Sequence, residues 1–210
     1  MTAPAPEPST RQRIIEMADR LFYQRGFEHT AFADIAGALQ MSRGNFYYHF
    51  KTKDEILAAV ISHRAAQTHA MLEGWARQGA TPAARLQCFA QMLIDNRHDI
   101  QRHGCPVGTL CAELAKLAHP SQGDAGMVFG QFRQWLAAQF QALGRAGDAD
   151  ALAMHLLARS QGIAALANAF HDETFIRSEV AQIGVWVNSL ASPGARRGKP
   201  GSGGRATRTG

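Results

Sequence analysis

Thr30-Ala31-Phe32-Ala33-Asp34-Ile35-Ala36 and, four residues further on, Met41-Ser42-Arg43-Gly44-Asn45-Phe46-Tyr47-Tyr48-His49-Phe50-Lys51-Thr52-Lys53 form the stretch whose reading decides the fold. Phe32, Ile35, Ala36 and Leu39 recur at helical spacing and predict a short helix over Thr30 to Leu39. Gln40-Met41-Ser42 reads as a turn, and Ser42 is placed to cap a third helix, Arg43 to Phe50. A short helix, a three-residue turn and a second short helix make a helix-turn-helix. In that arrangement the second helix enters the DNA major groove with its N-terminal end near base edges.

The residue types suit that task. Arginine can donate two bonds to guanine and asparagine can read adenine, which marks Arg43 and Asn45. Gly44 between them lets backbone approach backbone. Tyr47, Tyr48 and His49 carry polar tips that can reach phosphates or pack on thymine methyls, and Lys51 and Lys53 are placed to neutralise phosphate charge. Phe46 and Phe50, four residues apart, face the opposite side and hold the helix to a core. Tyr47 and Tyr48 have a second reading as plain packing aromatics.

Working outward, Thr10 is a candidate cap for a first helix running to about Arg25, closed by Gly26. Thr52 caps a longer fourth helix with Ile56, Leu57, Val60 and Ile61 on one face. Beyond it the pattern stays helical: Thr81-Pro82 opens a helix to about Arg102, and Pro106 opens another to about Leu117. Pro120 to Gly126 reads as a loop or a loose helix start before a helix carrying Phe129, Phe132, Trp135, Leu136 and Phe140. Asp148 caps a helix to about Phe170, and the last runs from Asp172 or Thr174 to near Leu190. No run alternates convincingly in the manner of a strand. The fold class is therefore all-α, with an N-terminal three-helix helix-turn-helix domain joined to a helical bundle. The expected divisions are a disordered N-terminus over 1–9, the helix-turn-helix domain over 10–52, the bundle over 53–192 and a disordered basic tail over 193–210.

The quoted run resembles the N-terminal domain of the TetR family of bacterial regulators, over about residues 10–57, and the Tyr-Tyr-His-Phe-Lys-x-Lys segment is its specific part. One departure is Leu39-Gln40-Met41, where the family usually has Ala-Gly-Val; losing the turn glycine is expected to shift the angle between the two helices slightly. The resemblance implies a homodimer with a variable, all-helical ligand-binding body. It places Thr30, Arg43, Asn45 and Tyr47 near bases and Tyr48, His49 and Lys53 near phosphates. Thr30 has a second reading as a helix cap.

Charge adds little to this. The net +5 is carried entirely by the stretch from Pro193, with Arg196, Arg197, Lys199, Arg205 and Arg208 and no acid, so residues 1–192 sum to zero. That tail can add salt-sensitive, non-specific DNA affinity or be a solvated end. Three cysteines, Cys88, Cys105 and Cys111, make no disulfide framework and fit a reducing compartment. The N-terminus lacks the pattern of a signal peptide. No run approaches the roughly 18 apolar residues of a membrane span. A cytoplasmic protein is expected.

The body is clearest at Gly104-Cys105-Pro106-Val107-Gly108-Thr109-Leu110-Cys111-Ala112-Glu113-Leu114, which resembles a Gly-Cys-Pro-x-Gly-x-Leu-x-x-Glu-Leu signature of one subgroup of TetR-family effector domains. Cys105 stands at a helix N-terminus, where the dipole favours thiolate, with Arg102 and His103 beside it. It reads as an electrophile- or oxidant-sensing thiol, or as an inert cysteine lining a pocket. Glu113 or Arg133 is the candidate to orient a ligand among the bundle aromatics. His98, His103, Cys105 and Cys111 lack a paired zinc spacing, so no metal and no cofactor is expected. His155, Arg159 and His171 lie in the last helices, within possible reach of a ligand. The last two helices, about 148–191, carry broad apolar faces with Leu152, Leu156, Ile163, Ala164 and Leu166 on one and Phe175, Ile176, Val180, Ile183, Val187 and Leu190 on the other. Gly162, Ala165 and Gly184 permit close helix approach. These faces serve either a two-fold dimer interface or packing within one subunit.

The reading is thus a regulator, by family default a repressor, released from a palindromic double-stranded operator by a small-molecule or electrophilic inducer. Two alternatives stand beside it: an interaction module that no longer binds DNA, and an all-helical enzyme. No nucleophile-elbow, phosphate-loop or metal motif supports the enzyme.

Overall fold

The computed structural model describes residues 8–191, so the expectations for residues 1–7 and for the tail from 193 lie outside the described residues. The described chain is helical throughout and contains no strand: α1 (Thr10–Arg25), α2 (Phe32–Ala38), α3 (Arg43–His49), α4 (Lys53–Gln78), α5 (Pro82–Asp95), α6 (Arg97–His103), α7 (Pro106–Lys116), α8 (Gln122–Ala142), α9 (Ala149–Phe170) and α10 (Glu173–Ala191).

Caps set most of these boundaries. Ser42, Thr52 and Thr81 each accept a bond from a backbone N–H three residues on, at 3.3, 3.1 and 3.1 Å. The Asp172 carboxylate accepts from the N–H groups of Thr174 and Phe175 and starts α10. Elsewhere the boundary moves. Ser9, not Thr10, caps α1, accepting from Gln12 N–H. α8 begins at Gln122, so of the two readings for Pro120 to Gly126 the helix start holds for most of it. The helix expected over Thr81 to Arg102 breaks at Asn96, whose side-chain amide donates to the Met92 carbonyl at 2.8 Å. Asparagine competes locally for backbone partners in this way, which disfavours it inside helices.

The turn between α2 and α3 keeps its form without the family glycine. Gln40 takes the left-handed conformation itself, at φ +54°. Its N–H donates to Gly37 O, and the Met41 N–H donates to Ala36 O at 2.9 Å. These two bonds are the glycine-type helix ending, here built on a residue that pays roughly 1–2 kcal/mol for its Cβ.

Two apolar cores organise the chain. One gathers Ile14, Ala18, Phe22, Ile35, Phe46 and Phe50 from α1 to α3 and its flanks. It also takes Ile56, Leu57, Val60 and Ile61 from α4 and Leu110 and Leu114 from α7. A boundary after residue 52 therefore divides a continuous core, and α4 belongs to both units. The second core lies in the body, with Leu86, Phe89, Leu136, Phe140, Leu156, Ile183 and Val187 among its most buried members. There α8 packs on α9 and α4, and α10 packs on α5 and α9.

This packing consumes most of the apolar faces read on the last two helices. Leu156, Ile163, Ala164, Ile176, Ile183 and Val187 are buried within the subunit. What remains outward on α9 is a different stripe: Met154, Ala158, Gly162, Leu166 and Phe170, the last 73% exposed.

Candidate nucleic-acid interface and effector cavity

α3 has seven residues, too few to hold itself as a helix in water. It is held by burial of Phe46 and Phe50, at 1% and 2% exposure, with the Phe46 ring 5.3 Å from Phe32. With those two rings inward, Arg43, Gly44, Asn45, Tyr47 and Tyr48 are exposed, and His49 is half-buried. Tyr47 is braced by an edge contact with Phe32 at 5.5 Å, and Tyr48 stands out at 77% exposure. A 77%-exposed tyrosine is not a packing residue, and Tyr47 is packed on one side only.

Two of the expected contacts, Thr30 and Lys53, are placed differently. Thr30 is wholly buried, and its hydroxyl donates to the Gly26 carbonyl at 2.7 Å. It therefore neither faces bases nor caps α2; Asp34 serves that cap by accepting from the Ala31 N–H at 2.7 Å. Lys53 stands over the Phe27 ring, 4.3 Å from its centroid, and donates to the Glu28 carbonyl, which ties the α1–α2 loop to α4. Lys51 is exposed and its ammonium donates to the Tyr47 carbonyl. Sequence reading passed over Arg11, whose guanidinium lies over the Phe50 ring at 4.8 Å on the exposed side of α1. Its cation joins the margin of α3, across 39 positions of sequence that periodicity does not relate.

The body holds a cavity of about 280 Å³ lined from α1 and from α4 to α9. Phe89, Met92, Phe129 and Phe132 line its apolar part, and Asp19, Tyr23, Arg64, Thr68 and Asp99 its polar part. Of the four residues expected around an effector, only Cys105 lines it. Its sulfur accepts the Gly108 N–H at 3.4 Å. His103 stacks edge-on against Tyr23 at 5.3 Å. Arg133 forms a two-pronged pair with Asp150 on the surface, both bonds 2.7 Å, which raises its own pKa and lowers that of the carboxylate. His155 and His171 are exposed, and Arg159 pairs with Glu179 at 2.8 Å.

Glu113 has another task altogether. Its carboxylate accepts the N–H groups of Phe27 and Glu28, each at 2.9 Å, from the loop that leads into α2. Gly26 makes room for it: at φ +89°, a Cβ there would stand 2.9 Å from the carboxylate. α7 thus starts on the cavity with Cys105 and Pro106 and ends on the DNA-reading unit with Leu110, Glu113 and Leu114. A second tie runs beside it. Arg64 of α4, 6% exposed, pairs with Asp19 of α1 and donates to the Pro106 carbonyl. A third is the Tyr23 hydroxyl, which donates to the Gly104 carbonyl at 2.7 Å. Burial, with the Asp99 charge nearby, pushes the Tyr23 phenol pKa up and keeps it a donor.

The architecture is that of a helix-turn-helix reading unit on an all-helical body. Residues 14–60 match the family described as "Bacterial regulatory proteins, tetR family". The chain is 28% identical over 138 residues to an uncharacterised HTH-type transcriptional regulator of Lactococcus lactis, covering 64% of this chain and 70% of that one. It is 34% identical over 107 residues to the HTH-type transcriptional regulator TtgR of Pseudomonas putida, covering 46% of this chain and half of that one. A TetR regulator from Legionella pneumophila shares the fold at a TM-score of 0.77 and 22% identity, over 87% of this chain and 99% of that one. Residues 14–60 therefore carry a TetR-type helix-turn-helix domain, and the described chain shares the fold of a TetR regulator of known structure. No described helix is long and apolar enough to cross a membrane.

Proposed function

We propose that the protein is a homodimeric repressor that leaves a palindromic operator when a small molecule fills the body cavity. The observation that carries this is the placement of Arg43, Asn45, Tyr47 and Tyr48 on the exposed face of a helix held from behind by Phe46 and Phe50. Arg11, Lys51 and His49 flank that face as phosphate contacts. Two such helices on a two-fold axis, roughly 34 Å apart, meet successive major grooves.

The dimer contact in this reading is the outward stripe of α9, Met154, Ala158, Gly162, Leu166 and Phe170, with Val185 of α10, 72% exposed. Nothing within 4 Å occupies the space over Gly162, so a partner helix can approach it closely. A ligand in the cavity meets Arg64, Tyr23 and Pro106, the groups that tie α1, α4 and α7 together. If it fits one arrangement of those helices better than another, it shifts the dimer toward that arrangement, and the spacing of the reading helices follows.

A mobility-shift assay on DNA upstream of the protein's own gene tests the reading. Arg43→Ala should weaken specific binding by about 1–3 kcal/mol per half-site, while light scattering returns two chains for both proteins. Binding that is unchanged, or a monomer, removes it and favours the interaction-module alternative. A second reading, in which the inducer is an electrophile captured by Cys105, rests on that sulfur's place in the cavity wall beside the Gly108 N–H. Alkylation of Cys105 should then release DNA; operator affinity that survives complete alkylation removes the covalent version and leaves the reversible one.

A further inference from the structure

The cavity's polar groups discriminate by charge. Arg64 is the sole cation among its lining residues, and it is already committed to Asp19 and to the Pro106 carbonyl. Asp99, an exposed residue, also lines the cavity and makes no hydrogen bond or ion pair with any described side chain. Two carboxylates and one guanidinium therefore line the cavity. An entering anion meets a cation that has been neutralised and a carboxylate that has not. It can gain Arg64 only by displacing Asp19, which is costly for a pair this buried.

An entering cation meets the opposite. Asp99 is free to pair with it, and the faces of Tyr23, Phe89, Phe129 and Phe132 carry the negative side of the aromatic quadrupole. Thr68 is independent of this charge count. It is 6% exposed and lines the cavity, and its hydroxyl forms no hydrogen bond with any described residue. The hydroxyl is open to the cavity, where a ligand N–H or an accompanying water can pair with it. Met92 and Phe132 supply an apolar bed for the ligand's body.

On the reading that this cavity is the effector site, we infer that its ligand is a lipophilic monocation, an amine with an aromatic body, paired through Asp99 and completed by the Thr68 hydroxyl. Three probes of one shape separate the possibilities: 2-naphthylmethylamine, protonated at neutral pH, 2-naphthylmethanol and 2-naphthoate. Calorimetric titration of the full-length protein should find the amine bound about tenfold more tightly than the alcohol, with naphthoate weakest. Asp99→Asn, at an exposed position, should bring the amine to within about twofold of the alcohol and leave the alcohol unchanged. Equal binding of the three, or a preference that survives Asp99→Asn, overturns the charge selection and leaves the cavity as an effector site. Binding of none of them overturns this inference and the effector-cavity reading together.

Discussion

Phe46→Ala should destabilise the DNA-reading unit by about 3–5 kcal/mol, the range for deleting a buried phenylalanine side chain. The ring is 1% exposed and lies in the core shared by Ile35, Phe50, Leu57 and Val60. Its loss leaves Phe50 as the one buried ring holding α3. A seven-residue helix has no stability of its own to fall back on. It also removes the face on which Phe32 rests, and Phe32 in turn braces Tyr47. The variant should therefore lose specific DNA binding while the body, whose core is separate, keeps its helical signal. Urea unfolding followed by circular dichroism, beside a mobility shift, reads both effects. A variant less than 1 kcal/mol weaker than the parent, with full DNA binding, would show that α3 is held by something other than these two rings.

The second large effect belongs to the pair that joins the two units. Arg64→Ala should cost about 2–4 kcal/mol, toward the lower part of what breaking a buried ion pair entails. The Arg64 side chain is 7% exposed and that of Asp19 is 23% exposed, so the abandoned carboxylate is partly rehydrated but not released to water. The Pro106 carbonyl loses its donor at the same time. Replacing both partners tests whether the cost is the orphaned charge. Arg64→Met with Asp19→Asn should recover much of the loss, because a buried pair exchanged for neutral groups of similar size is often nearly neutral. Measured as a double-mutant cycle by urea unfolding, a double variant no more stable than Arg64→Ala would assign the cost to lost packing instead.

How much of this was open to sequence reading follows from how far apart the interacting residues lie. The reading helix is local. Ser42, Arg43, Asn45, Phe46, Tyr47 and Phe50 fall within nine positions, so cap, exposed face and buried face follow from one period of 3.6. Tyr48 and Arg43 were placed outward by that period and are outward in the structure. The period fails where a residue's environment comes from a loop. Thr30 precedes α2 rather than opening it, so its side chain turns into the core, where its hydroxyl donates to the Gly26 carbonyl.

In the body the period says which faces are apolar but not what covers them. Leu156 and Leu166 read as one face of α9; packing against neighbouring helices buries the first and leaves the second 45% exposed. Glu113 reads as a lone acid available to a ligand, because nothing nearby in sequence pairs with it. Its partners are the N–H groups of Phe27 and Glu28, 86 and 85 positions away.

By itself, then, the sequence determined an all-helical chain, its helix-turn-helix and the outward face of α3, all set by local caps and spacing. Only the tertiary structure decided where that unit meets the body. It turned Glu113 from an effector candidate into the clamp on the loop before α2, left Cys105 alone of the four on the cavity, and closed Arg64 on Asp19. Each depends on chain closure over tens of residues, and helical period carries no information about which distant surface a face will meet.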